Sequence, residues 1–95
     1  MRLRVRRLGG LAGVKVGADV DTDDLPGGHT PALDDALRGL AWGSESAAPH
    51  PDAFRYELTK LDDPDRPSVI VGEHEVPSEL HPLLDAARER GEVES

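Results

Sequence analysis

The fold is decided by residues 2–20, which read RLRVRRLGGLAGVKVGADV. Two runs of alternating side chains flank a segment with three glycines in five positions, Gly9, Gly10 and Gly13. Glycine adopts the positive φ angles that tight hairpin turns require. Within each run the apolar residues share one face, as in half-buried strands: Leu3 and Val5 in the first, and Val14, Val16, Ala18 and Val20 in the second. The stretch therefore predicts a β-hairpin.

The tip of this hairpin carries two apolar residues, Leu11 and Ala12, among its glycines. A tight turn requires glycine, but it does not require leucine. We therefore interpret Leu11 as a side chain offered to a pocket on another protein. The alternative, in which Leu11 folds back and covers the sheet, remains open at this point.

Further along the chain, helix and strand signals alternate. Thr30 is a favourable N-cap and Pro31 suits the first helical position. The helix buries Leu33, Leu37 and Leu40 and is predicted to end at Gly43. Two strands are predicted over residues 53–60 and 68–72, joined by a turn at residues 62–65. A last helix begins between Pro77 and Pro82, and the chain is expected to fray from Gly91.

In the strand at residues 53–60, Phe54, Tyr56 and Leu58 share one face. Phe54 and Tyr56 supply most of the aromatic volume, because the chain has only one further aromatic residue, Trp42. We therefore predict that folding depends on Phe54 and Tyr56.

The chain also resembles itself at an offset of 51 residues. Asp24-Leu25-Pro26 matches Glu75-Val76-Pro77, and the helix starts at Pro31 and Pro82 coincide. We interpret this as two strand-strand-helix halves. The predicted fold class is α+β: a small four-stranded antiparallel sheet with two to three helices packed on one face.

Composition limits the possible functions. A chain of 95 residues is expected to form a single domain, residues 1–95, with residues 91–95 as a frayed tail. The formal charge is −8, although residues 1–20 carry five basic residues and one acid. An acidic body argues against a nucleic-acid partner. With no cysteine, no signal peptide and no long apolar run, the sequence predicts a cytoplasmic protein without a membrane partner.

Catalytic and metal sites are not indicated. The four histidines, His29, His50, His74 and His81, lack a ligand spacing, and the acidic run at residues 19–24 lacks the glycine and glutamate of a calcium loop. We therefore expect no metal, no cofactor and no enzymatic activity. Two alternatives remain. One is a nucleic-acid or regulatory module using the basic strand with Arg2, Arg4, Arg6 and Arg7, and the other is a small enzyme using the acids at residues 21–24 with a histidine.

Four segments carry a resemblance to a known family. They are Arg7-x-Gly9-Gly10-Leu11-Ala12-Gly13, then DTDDLP at residues 21–26, PDAFRYEL at 51–58 and VPSELHPLL at 76–84. In their order and spacing the chain resembles the emfourin-like inhibitors of protealysin, over about residues 3–87. The resemblance implies a proteinaceous inhibitor that blocks the active-site cleft of a thermolysin-like zinc metallopeptidase and is a monomer before complex formation.

The resemblance implies the target, and the apolar residue on the glycine-rich tip suggests where that target binds. Thermolysin-like peptidases accept a bulky apolar side chain just after the scissile bond, and Leu11 on a rigid loop would suit that pocket. The expected protease-binding residues are Arg7, Gly9, Gly10, Leu11, Ala12 and Gly13. The loop around residues 62–66 is the next candidate.

Overall fold

A computed structural model describes residues 1–9, 15–45, 54–90 and 92–94, with the backbone alone for residues 15, 16 and 92–94. An antiparallel sheet is formed by β1 (Arg2–Gly9), β2 (Lys15–Asp21), β3 (Phe54–Lys60), β4 (Ser68–Gly72) and β5 (Glu92–Glu94), in the order β4-β3-β1-β2-β5. The helices are α1 (Pro31–Arg38) and α2 (His81–Arg90), with short 3-10 helices at Thr22–Asp24 and Ser78–Leu80. The predicted α+β class is confirmed.

The central strand β1 pairs with both β2 and β3. Because side chains alternate along a strand, its residues divide between two faces. Leu3 and Val5 are buried on the face that meets the helices, opposite Val20 and Ala18 of β2. The arginines at positions 2, 4 and 6 lie on the open face. Arg7 falls on the helix side, with Leu3 and Val5.

Helix α1 begins as the sequence predicts and ends earlier. The Thr30 hydroxyl accepts a hydrogen bond from the Leu33 amide at 3.1 Å, and Pro31 occupies the first turn. The helix ends at Arg38 with Gly39 as its C-cap, so the predicted end at Gly43 is wrong.

The chain after Gly39 explains this early end. The Trp42 indole N–H donates to the Leu37 carbonyl at 2.8 Å, so the ring packs against the last turn of α1. Gly43, at φ 91°, turns the chain toward β4, where its amide donates to the Ser68 carbonyl at 2.6 Å.

One hydrophobic cluster joins the helices to the sheet. α2 packs on β2, and α1 packs beside the 3-10 helix at Ser78–Leu80. The predicted helical stripes contribute as expected, apart from Leu40, which is half-buried at the edge of the cluster. Buried members from all elements are Leu3, Val5, Val20, Leu25, Leu33, Leu37, Leu58, Val69, Leu80, Leu83, Leu84 and Ala87.

The internal repeat agrees with the pairing of the two central strands. The offset of 51 residues relates Arg6 to Glu57, and these two residues lie directly opposite each other in the β1–β3 pairing. The offset also relates β2 to β4, but the outer pairings differ in register by two residues, because Val20 lies opposite Leu3 whereas Val71 lies opposite Tyr56. The two halves of the sequence thus correspond to two halves of the sheet in strand order.

Two sequence expectations need correction. The sequence predicts a four-stranded sheet, whereas the observed sheet has a short fifth strand. Glu92–Glu94 pair with β2, with Val93 opposite Val16. Within the expected frayed tail, residues 92–94 thus pair with the edge of β2, and residues 91 and 95 lie outside the described residues. Phe54 is half-buried at the end of β3 and is not a member of the buried cluster, whereas Leu58 is.

Candidate functional site

The base of the glycine-rich hairpin tip lies at one end of the sheet. β1 ends at Gly9, which has φ 95° and lies opposite Phe54 at the start of β3. The positive φ of Gly9 marks the point where the backbone leaves the strand. Four of the predicted binding residues, Gly10, Leu11, Ala12 and Gly13, lie outside the described residues, so their role stays a prediction.

Arg7 occupies a distinctive position at this end. Its guanidinium carbon lies 4.8 Å from the centroid of the Phe54 ring, in a cation–π contact. The side chain is half-buried on the helix side, and among the described residues it has no carboxylate partner. The strand alternation that begins with Leu3 and Val5 already places Arg7 on this face, and this signal could have been used at the sequence level.

A polar turn at residues 73–75 lies beside the hairpin base. The Glu73 amide donates to the Phe54 carbonyl at 3.1 Å, and the Glu75 amide donates to the Gly72 carbonyl at 2.9 Å. These bonds hold residues 73–75, including the exposed His74, at the same end of the sheet as Gly9.

The loop at residues 62–66, the second candidate from the sequence, lies at the opposite end of the sheet. Leu3 pairs with Lys60, and the Leu61 amide donates to the Arg2 carbonyl at 3.0 Å. This loop and Gly9, at the base of the hairpin, therefore lie at opposite ends of the sheet. A partner bound at the tip would meet the turn at residues 73–75 first.

Two connected depressions run from Arg7 along α2. The first, of about 50 Å³, lies between Arg7 and Arg88 and is lined otherwise by Val5, Gly17, Tyr56, Leu84 and Ala87. The second, of about 310 Å³, continues between α2 and the turn at residues 73–76, past His74 and His81. Tyr56, Leu84 and Arg88 line both depressions. We call the two together the α2 groove.

The basic row on the open face of the sheet is largely paired with acids. Arg4 contacts Asp19 at 2.9 Å, and Arg6 contacts Glu57 at 3.4 Å, as expected for cross-strand pairs. The hydrogen bond from Arg4 lowers the pKa of Asp19. Arg55 contacts Glu45 at 3.0 Å on the same face. With its charges neutralised internally, this face lacks the basic stripe of a nucleic-acid binder.

A hydroxyl, an imidazole and a carboxylate come together near the N-terminus. The Thr22 hydroxyl lies 2.7 Å from Nδ1 of His29, and Nε2 of His29 lies 3.0 Å from the Asp34 carboxylate. The hydrogen bond to His29 lowers the pKa of Asp34. Thr22 is 0% exposed and its hydroxyl also bonds to the Met1 carbonyl at 3.2 Å, so no substrate reaches it. The arrangement connects α1 to the end of β2 and does not provide a nucleophile.

Among the described residues, no group of three His, Asp or Glu side chains is placed to hold a metal ion. No helix within the described ranges is long and apolar enough to span a bilayer. His50 lies outside them.

These observations define an α+β protein whose distinctive surface is a glycine-rich hairpin end with a neighbouring groove. The family model described as Emfourin matches residues 5–88. The chain therefore belongs to the emfourin family, which confirms the resemblance carried by its four sequence segments. No curated protein and no solved structure matches the chain. Membership in this family supports a role of the protease-inhibitor type.

Proposed function

We propose that this protein inhibits a thermolysin-like zinc metallopeptidase by filling its active-site cleft. The observation that carries the proposal is the match of residues 5–88 to the emfourin family. We expect the inhibitor to be cytoplasmic and monomeric before it meets its target.

The hairpin end is well suited to act as a rigid plug. β1 pairs with β2 from Arg2 to Arg7 and with β3 from Leu3 to Gly9, so the strand that leads into residues 10–13 is held by β3 up to its last residue. Ordering a mobile loop on binding costs affinity, and a loop held by a central strand reduces this cost. The neighbouring turn at residues 73–75 provides further surface toward the roughly 800 Å² per partner of a standard interface.

In this proposal Leu11 is the anchor and Arg7 is a flanking contact. A thermolysin-like cleft accepts a bulky apolar side chain next to the scissile bond, which matches a leucine on the tip. Gly9, Gly10, Ala12 and Gly13 would let the backbone approach the walls of the cleft closely, since they carry little or no side chain. Interface energy concentrates in a few such buried anchors.

The test compares Leu11→Asp with wild type in a peptidase inhibition assay. Loss of an anchor typically costs about 2 kcal/mol or more, so inhibition is expected to weaken roughly thirtyfold with an unchanged melting temperature. Ala32→Asp is the matched control, because Ala32 is exposed on α1 and gains the same charge. Its inhibition should equal that of wild type.

Other results would locate the error. Full inhibition by Leu11→Asp would remove the tip from the interface. Loss of both inhibition and thermal stability would instead show that Leu11 packs against the sheet. If wild-type protein leaves every thermolysin-like enzyme active at micromolar concentration, the proposed function is wrong.

A further inference from the structure

We propose that Arg7, Tyr56 and Arg88 form a carboxylate-binding subsite at the Arg7 end of the α2 groove, and that it receives an acidic side chain of the inhibited peptidase. This inference rests on the proposed function and extends it. It assigns a second, electrostatic contact next to the apolar anchor. Of the three residues, only Arg7 belongs to the predicted hairpin site.

The first observation is the state of Arg7. Three arginines of the described chain are half-buried: Arg6, Arg7 and Arg55. Arg6 and Arg55 each contact a glutamate, whereas Arg7 has no carboxylate partner among the described residues and stacks on the face of the Phe54 ring at 4.8 Å. A partly desolvated guanidinium without an anion is costly, and an incoming carboxylate would relieve this cost through charge-assisted hydrogen bonds.

The second observation is what faces Arg7 across the depression. Arg88 approaches from α2, where it is 68% exposed and has only a weak ion pair with Asp85 at 3.7 Å. Exposed pairs of this kind contribute little, so Arg88 can exchange its partner readily. Tyr56 also lines the depression, and its hydroxyl has no hydrogen-bond partner among the described residues. Two arginines and a tyrosine thus line one small space whose remaining lining residues are apolar.

The size and charge of the groove select the ligand. A space of about 50 Å³ is large enough for a carboxylate, since about 10–15 Å³ on this measure holds one water molecule. At its other end the groove carries Glu73, with His74 and His81, and Asp85 lies on the α2 wall. An acidic group is therefore repelled from the Glu73 end and attracted to the Arg7 end.

The position of the subsite identifies its occupant. Arg7 lines the depression and lies two residues before Gly9, where β1 ends at the base of the hairpin, so a protein bound at that end of the sheet is close to the depression. The chain as a whole carries a charge of −8 and would repel acidic surfaces elsewhere. A carboxylate on the rim of the peptidase cleft would bind at the subsite formed by Arg7, Tyr56 and Arg88.

The experiment measures inhibition of a thermolysin-like peptidase by wild type, Arg88→Glu, Tyr56→Phe and Arg90→Glu. Arg90 is the matched control, because it is exposed on the same helix, carries the same charge and does not line the groove. We expect Arg88→Glu to weaken inhibition at least about tenfold and Tyr56→Phe to weaken it severalfold, with unchanged melting temperatures. Arg90→Glu should inhibit like wild type. Added salt should weaken wild-type inhibition more than that of Arg88→Glu.

Each outcome decides the matter. If wild type inhibits and both Arg88→Glu and Tyr56→Phe inhibit equally well, the subsite is refuted while the proposed function stands. Equal losses in Arg88→Glu and Arg90→Glu would show a general charge effect and also refute it. If wild type fails to inhibit, the proposed function and the subsite fall together.

Discussion

Replacing Phe54 by Ala should separate binding from stability. The sequence suggests that this change would nearly unfold the protein, because aromatic residues are so few. Phe54 is the first residue of β3, where it is half-buried beneath the Arg7 guanidinium and lies outside the buried cluster. Leu58, on the same face of β3, is 1% exposed between Val5 and Val69 of the adjacent strands.

The expected magnitudes follow from these positions. Complete burial of a phenylalanine contributes about 1.5–3 kcal/mol, and an exposed cation–π contact about 0.5–1 kcal/mol. Because the Phe54 ring is partly exposed, solvent fills the space it leaves, and we expect a loss of about 1–2 kcal/mol. Leu58→Ala leaves a cavity in the core and should cost about 2–5 kcal/mol. For a domain of this size each kcal/mol lowers Tm by about 4–8 °C.

The assay combines thermal unfolding with peptidase inhibition. Phe54→Ala should melt cooperatively and inhibit more weakly than wild type, because Arg7 loses the ring that positions it. Leu58→Ala should be less stable than Phe54→Ala, by up to about 4 kcal/mol, yet inhibit normally at temperatures where it remains folded. The reasoning is refuted if Phe54→Ala is the less stable of the two, or if it inhibits as well as wild type.

Three further predictions follow from the charges and from the expected lack of metal. Asp19 and Asp34 each have a pKa lowered from the ordinary value of about 3.8. Their ionised carboxylates therefore stabilise the fold above about pH 3.8, and this contribution disappears as the pH falls through the lowered pKa. Asp19→Asn should therefore be less stable than wild type at neutral pH, and urea unfolding should show the difference vanishing in acid. Asp34→Asn should behave in the same way. For either variant, a difference in stability from wild type that persists at pH 2 would contradict the lowered pKa of that aspartate. A chelator should leave the circular dichroism spectrum and Tm unchanged, whereas a fall of several degrees would reveal a structural ion.

Much of the fold could be predicted because the deciding signals are local. Strand alternation located β1 to β4, and the Ser68–Gly72 strand was predicted with its observed bounds. Thr30 and Pro31 identified the start of α1 because a cap acts within one turn of the chain. The offset of 51 residues indicated two halves, and the opposed pair Arg6 and Glu57 agrees with it.

The remaining features depend on contacts between distant residues. α1 ends at Arg38 because Trp42 packs back onto Leu37, and no local signal announces this. Glu92–Glu94 form a strand only because the edge of β2 accepts them. The assignment of loops to the ends of the sheet requires the strand order, which places residues 73–75 beside Gly9 and residues 62–66 at the far end.

An active-site titration tests the central claim most directly. A thermolysin-like peptidase at fixed concentration is incubated with increasing amounts of the protein, and residual activity is measured on a small substrate. A rigid plug in the cleft predicts that residual activity falls linearly with added protein and reaches its endpoint at one inhibitor per enzyme. The onset of inhibition should be slower when a zinc-chelating ligand already occupies the cleft. No loss of activity, or a loss at the same rate whether or not that ligand is present, would contradict the account.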